Sequence, residues 1–191
     1  MLDFDKLAAE LHADAVERGF WDVPDSMIKH VVKMHSELSE AVQEDRCDRP
    51  LLYVDDIEVP ERITDIGAFD GRKPEGIAAE LADFVMMALD MFAETEVTLN
   101  NVLTPVRDTG KSDLYVMFMN MPLYSLALHC HDALCALISA DTAPTDFAAH
   151  AFTCIVGVEL WLEPRGVNLW DVIRLKQEYN RSRPKLHGRK Y

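Results

Sequence analysis

Apolar residues recur along most of this chain at intervals of three and four, the spacing of helices with one buried face. Over residues 3–18, Phe4, Leu7, Ala8, Leu11, Ala15 and Val16 predict a first helix, which Gly19 ends before the turn Phe20-Trp21-Asp22-Val23-Pro24. Asp25 or Ser26 is placed to cap a second helix that runs to about residue 45, with Met27, Val31, Met34, Leu38 and Val42 facing inward. Residues 47–73 break the pattern. Pro50, Pro60, Gly67 and Gly71 punctuate β-branched and acidic residues, which predicts a long loop with short strand pairing between 51–54 and 62–66. Pro74 stands where the first residue of a helix is expected, and that helix continues to about residue 94. A linker follows over 98–112, with Pro105 and Gly110, and then a helix from residue 114 or 122 to 139. Pro144-Thr145-Asp146 starts another helix that ends near residue 163, and a last one runs from about Asn168 to Ser182, where Pro184 stops it. Almost every ordered element is helical, so the predicted fold class is all-α, a helical bundle.

An internal repeat organises these elements. Residues 74–103 align without gaps to 144–173, with Pro74, Ala78, Ala79, Val97, Leu99 and Val102 matching Pro144, Ala148, Ala149, Val167, Leu169 and Val172. Upstream, His35 to Glu40 aligns with His131 to Ala136. The chain therefore reads as one domain over 1–191, a fused pseudo-dimer of helical hairpins. Its first half, 1–103, carries carboxylates where the second, 104–191, has Ala133, Ala136, His150 and Thr153.

Those carboxylates are the candidate chemistry. Glu37 and Glu40 lie three residues apart on the second helix, and Glu80 and Asp83 repeat that spacing on the third, so each pair projects from one face. Between Ile77 and Ala93 the only polar residues are Glu80, Asp83 and Asp90. At about 100° per residue they occupy one sector roughly 80° wide. Carboxylates in such apolar surroundings need a cation or a basic partner, because desolvating the charge is costly. An all-oxygen donor set suits a hard ion, Mg²⁺ or Mn²⁺. Di-iron carboxylate bundles use Glu-x-x-His, which neither pair supplies, and no H-E-x-x-H or Cys/His cluster points to zinc. In the last helix Lys176, Asn180 and Arg183 share a face and suit phosphate oxygens. Trp21, in the turn before the first acidic helix, is either core or a stacking surface for a base. His35, His129, His131 and His150 read as packed or hydrogen-bonded core residues, and Met117 to Met121 as core or subunit interface.

The net charge of −14 over 191 residues argues against nucleic acid as a partner. The imbalance is uneven: residues 171–191 hold seven Lys or Arg against only Asp171 and Glu178, a basic end suited to a small anion. Cys47, Cys130, Cys135 and Cys154 form no C-x-x-C pair and read as reduced packing residues. The acidic start, Met1 to Lys6, is unlike a signal peptide, and no apolar run reaches the ~20 residues of a membrane span. The expectation is a cytoplasmic protein without membrane association.

Together Gly19 to Asp22, Met34 to Ala41, Lys73 to Ile77, Glu80 to Asp83, and Lys176 to Pro184 followed by His187-Gly188 resemble a MazG-like member of the all-α nucleoside triphosphate pyrophosphohydrolase superfamily. The insertion over 98–166 is a second, degenerate hairpin on this view, similar to the two related halves of the dimeric dUTPases. The resemblance implies Mg²⁺-dependent hydrolysis of a (d)NTP to the monophosphate and pyrophosphate by a homodimer. Glu37, Glu40, Glu80 and Asp83 would hold the metal, and one glutamate would orient the attacking water. Lys176, Arg183, Asn180 and Lys73 would serve the phosphates or sugar, and Asp90 the nucleoside. A non-catalytic nucleotide-binding protein of the same fold is the alternative.

Overall fold

The computed structural model describes residues 2–22, 26–59, 71–95, 97–108, 113–137 and 144–188. Within them the chain is mainly helical, with one two-stranded hairpin: α1 (Phe4–Glu17), α2 (Ser26–Arg46), β1 (Tyr53–Val54), β2 (Ile57–Glu58), α3 (Ile77–Ala93), α4 (Leu99–Asp108), α5 (Asp113–Asn120), α6 (Leu123–Leu137), α7 (Pro144–Leu162) and α8 (Leu169–Arg181). The all-α expectation holds.

Helix α3 is the axis of the molecule. Most of its residues are buried, and α1, α2, α7 and α8 all pack against it. A helix apolar on all sides has no solvent face to offer, so it is surrounded. That explains why its polar residues matter: Glu80 and Asp90 are buried with it. Around it, α2 buries Val31, Met34 and Leu38, and α1 buries Phe4, Ala8 and Leu11, as their spacing predicts. Val16 is an exception and stays exposed.

Five expectations require correction. The third helix begins at Ile77 and not at Pro74, because the backbone of Glu75 is spent on Tyr53: each N–H donates to the other's carbonyl at 2.9 Å. Gly76 (φ 102°) makes the turn into the helix. A side chain there would meet the carbonyls of Pro50 and Leu51 at 2.7 and 2.9 Å, so the 51–54 segment crosses directly over the start of α3. The strand partner of Tyr53–Val54 is Ile57–Glu58, through a tight turn with positive φ at Asp55 and Asp56. Residues 60–70, including the expected partner strand, lie outside the described residues, as does Asp25. The predicted linker after residue 98 is helix α4, and the predicted helix between 114 and 139 is two, α5 and α6, separated at Met121-Pro122. Finally, the histidines are less buried than expected: His129 is exposed, and His35, His131 and His150 are partly so.

Helix α4 owes its start to a residue far away in sequence. The Asp5 carboxylate accepts from the N–H groups of Leu99 (2.6 Å) and Asn100 (3.2 Å), doing from α1 what a capping residue does locally. Asp5→Ala should cost about 1–2 kcal/mol, read as a lower urea midpoint with unchanged slope. An unchanged midpoint would show that α4 does not depend on this cap.

Cys130 and Cys154 are buried packing thiols, as expected, whereas Cys47 and Cys135 are exposed. Burial pushes the Cys154 thiol up to about 12. No helix among the described residues is long and apolar enough to cross a membrane.

Candidate active site

Helices α2 and α3 face each other with their acidic edges aligned. Glu37, Glu40 and Glu80 each bring a carboxylate oxygen within 4.8 Å of the others. Glu37 is 7% exposed and Glu80 9%, so two of the three charges are taken out of water. Glu40 is exposed and accepts from Ser36 Oγ at 2.9 Å. Asp83 stands beside this group but is not part of it. Its Oδ2 lies 2.6 Å from Nζ of Lys176, which descends from α8 and is buried. Periodicity brought four acids to one place; the fold sorts them into a cluster of three and an ion pair.

The electrostatics follow from that sorting. Burial first, then the nearby Asp83, pushes the Glu37 carboxyl up to about 8, with Glu40 and Glu80 adding to the rise and Lys33 opposing it. Burial also raises Glu80, against the pull of Lys176. Burial by itself would lower Lys176, but Asp83, Glu80 and Glu37 outweigh it and hold the ammonium above its ordinary value. A cluster so arranged needs protons or a cation. Its donors are all carboxylate oxygens, which fits a hard divalent ion such as Mg²⁺.

The unfolded Glu37 loses its proton near 4.5 and the folded one near 8. Deprotonation between those values therefore favours the unfolded chain, and stability contributed by the protonated carboxyl is lost as pH rises through that window. In EDTA, the melting temperature of the wild type relative to Glu37→Gln should fall between about pH 4.5 and 8. Mg²⁺ should recover the loss at the alkaline end. A difference between the two proteins that stays flat across the window contradicts the assignment.

The cluster opens into a cavity of about 180 Å³, which also receives Lys33, Lys73, Arg18, Asn180 and Arg183. That is an order of magnitude more room than one water requires. Lys73 is also paired with Glu75 at 2.7 Å. Among the lining residues farther along α2 and α3 are His30, Met86, Met87 and Asp90.

Asp90 lines the cavity but has its oxygens engaged. It accepts from His12 Nδ1 (2.8 Å), Trp21 Nε1 (3.0 Å) and His30 Nε2 (2.6 Å), and His12 in turn reaches Glu94 through Nε2 at 2.8 Å. Trp21 is not in the lining. It stacks on His30, ring centroids 4.7 Å apart. The structure thus brings Glu37, Glu40, Glu80, Asp83, Lys73, Lys176, Asn180, Arg183 and Asp90 to one cavity and leaves Trp21 supporting its wall.

Sequence reasoning missed Arg18, His30 and Lys33. The last two were within reach, since Lys33 and His30 precede Glu37 by four and seven residues and so share its helix face. Arg18, at the end of α1, carried no local signal.

Chemically, the arrangement sets a cation-binding acidic floor against a basic wall, with an apolar and histidine-bearing recess beyond. It suits a ligand that carries several negative charges at one end and a less polar body at the other. No protein-family model, no curated protein and no solved structure matches the chain.

Proposed function

We propose that this protein is a Mg²⁺-dependent nucleoside triphosphate pyrophosphohydrolase that cleaves a (d)NTP to the monophosphate and pyrophosphate. One observation carries the reading: a three-carboxylate cluster and a set of Lys and Arg side chains line the same cavity. Acids alone would repel a polyphosphate, and cations alone would bind one without supplying a nucleophile. A divalent ion held by Glu37, Glu40 and Glu80 would neutralise phosphate oxygens and make a bound water acidic enough to attack at neutral pH.

The chain's own residues do the remainder. Lys33, Arg18 and Arg183 draw the phosphates in and offset charge as it builds on them. Lys176, fixed by Asp83, adds a buried positive charge beside the cluster. One of the glutamates orients the attacking water and accepts its proton. The water oxygen bonds to the α-phosphorus, the bond from that phosphorus to the bridging oxygen breaks, and pyrophosphate leaves with the electron pair. Asn180 positions a phosphate or the sugar. Asp90 acts on the nucleoside at one remove, by holding His30 against the recess.

The MazG-like architecture, with its internal repeat and pseudo-dimeric halves, belongs to the same proposal. Leu99 and Leu169, matched by the repeat, each begin a helix. His35 and His131, also matched, stack with ring centroids 5.0 Å apart, as residues related by a local two-fold axis do. Exposed Ile28 and Val32 on α2 correspond in the same alignment to exposed Tyr124 and Leu128 on α6. Such a self-matching apolar face suits a homodimer.

Hydrolysis in ¹⁸O-labelled water tests the bond assignment. The label is expected in the nucleoside monophosphate. Label in pyrophosphate, or release of orthophosphate with a diphosphate, would rule the reaction out.

A further inference from the structure

One side chain in the cavity has no task in the reaction above. His187 lies in the short turn Lys185–Gly188 that follows α8, and it lines the cavity. Its backbone is left-handed, as is that of Leu186 (φ 52° and 51°), a conformation that non-glycine residues avoid. The turn is nevertheless fastened to the region after α1. Leu186 N–H donates to the Arg18 carbonyl at 3.0 Å, Lys185 Nζ reaches Asp22 Oδ2 at 2.9 Å, and the Phe20 ring meets the imidazole edge-on at 5.1 Å. Held there, His187 Nε2 is buried and has no hydrogen-bond partner among the described residues. A strained backbone and an unmade buried hydrogen bond at the same residue mark a position kept for something other than stability.

The charges around it say what that is. Arg183 from just past the end of α8, Lys33 from α2 and Arg18 from the end of α1 bear on His187, with Asp83 from α3 opposing them. Burial first, and then these three cations, push the imidazole down to about 4. It is a neutral ring in a wall of fixed positive charge.

We propose that His187 is a phosphate-contacting residue, whose missing hydrogen bond is made to an oxygen of a phosphate chain drawn in by Arg18, Lys33 and Arg183. The inference rests on the reading of the cavity as a polyphosphate site, but not on hydrolysis. The chain's negative charge offsets the three cations, so the imidazole becomes easier to protonate as the ligand enters. Binding is therefore accompanied by proton uptake at mildly acid pH, by the reciprocity of linked equilibria.

The test uses the full chain with inorganic pyrophosphate and Mg²⁺, followed by calorimetry in two buffers of different ionisation heat at pH 5.5. Against wild type, His187→Ala should bind about tenfold or more weakly, the worth of a hydrogen bond to a charged group. His187→Gln keeps an N–H donor and should stay within about threefold, yet take up fewer protons than the wild type. Equal affinity of wild type and His187→Ala overturns the proposal. So does equal proton uptake by wild type and His187→Gln, and so does a wild type that binds no pyrophosphate. Melting temperatures of the free proteins separate the alternatives: a purely structural turn lowers melting in His187→Ala while leaving affinity unchanged, which also overturns it. His187-dependent binding without any triphosphate hydrolysis would sink the pyrophosphohydrolase and leave this inference standing. Hydrolysis indifferent to His187→Ala, with unchanged pyrophosphate affinity, would do the reverse.

Discussion

Glu37→Gln should give a protein that melts higher than the wild type and hydrolyses almost nothing. Glu37 sits 7% exposed beside Glu40 and Glu80, with Asp83 close enough to push it up further. Without a metal, its carboxyl either keeps a proton or pays for a buried charge next to others of the same sign. An uncharged amide of the same shape removes that conflict. The gain at pH 8 is on the order of a few kcal/mol, because each unit of raised pKa corresponds to about 1.4 kcal/mol. In a chain of this length that is a melting increase of several degrees. The loss is expected in metal-dependent hydrolysis, by at least about a hundredfold, since even outer partners of metal ligands cost up to that much. Opposite signs in the two measurements are the signature of a strained functional site. A variant with lower melting and undiminished hydrolysis would place Glu37 among structural residues.

The second large effect is expected at Lys176. Its ammonium is buried and 2.6 Å from Asp83, and the helix that carries it packs on α3. Lys176→Met keeps the length and apolar stem while removing the charge, leaving Asp83 unpaired among Glu37 and Glu80. Breaking a buried pair on one side typically costs 3–5 kcal/mol. The lower figure is appropriate because the Asp83 side chain remains 25% exposed. About 3 kcal/mol corresponds to a melting decrease on the order of 6–12 °C. Mg²⁺ should then stabilise the variant more than it stabilises the wild type, because a cation replaces part of the lost charge. Wild-type melting for Lys176→Met would mean that the pair contributes nothing to folding.

The acidic edges of α2 and α3 were visible as a three-residue spacing repeated on two helices, and the helices formed where their apolar stripes predicted. Helix α8 was equally plain, since Asn168 caps it through the N–H groups of Trp170 and Asp171, a signal local in sequence. Contacts between distant segments were not legible. Pro74 looked like a helix start because nothing local reveals that Glu75 pairs with Tyr53. Helix α4 looked like a linker because its cap, Asp5, lies on α1. The repeat held the missing clue there, for Leu99 corresponds to the residue that begins α8. Side-chain partnering was the other blind spot. Spacing cannot say that Lys176 turns to Asp83, or that Asp90 is shared by His12, Trp21 and His30. Likewise His187 stood in a recognisable stretch with no role until the turn placed it among Arg18, Lys33 and Arg183.

The most direct test of the central claim is pyrophosphate release from a panel of canonical and modified (d)NTPs, with Mg²⁺ and then with EDTA. Release is expected to require the metal, to be strongest for one or a few nucleotides, and to disappear in Glu37→Gln. Thermal stabilisation by Mg²⁺ and nucleotide without any pyrophosphate release would contradict the claim, and would make the cavity a binding site alone.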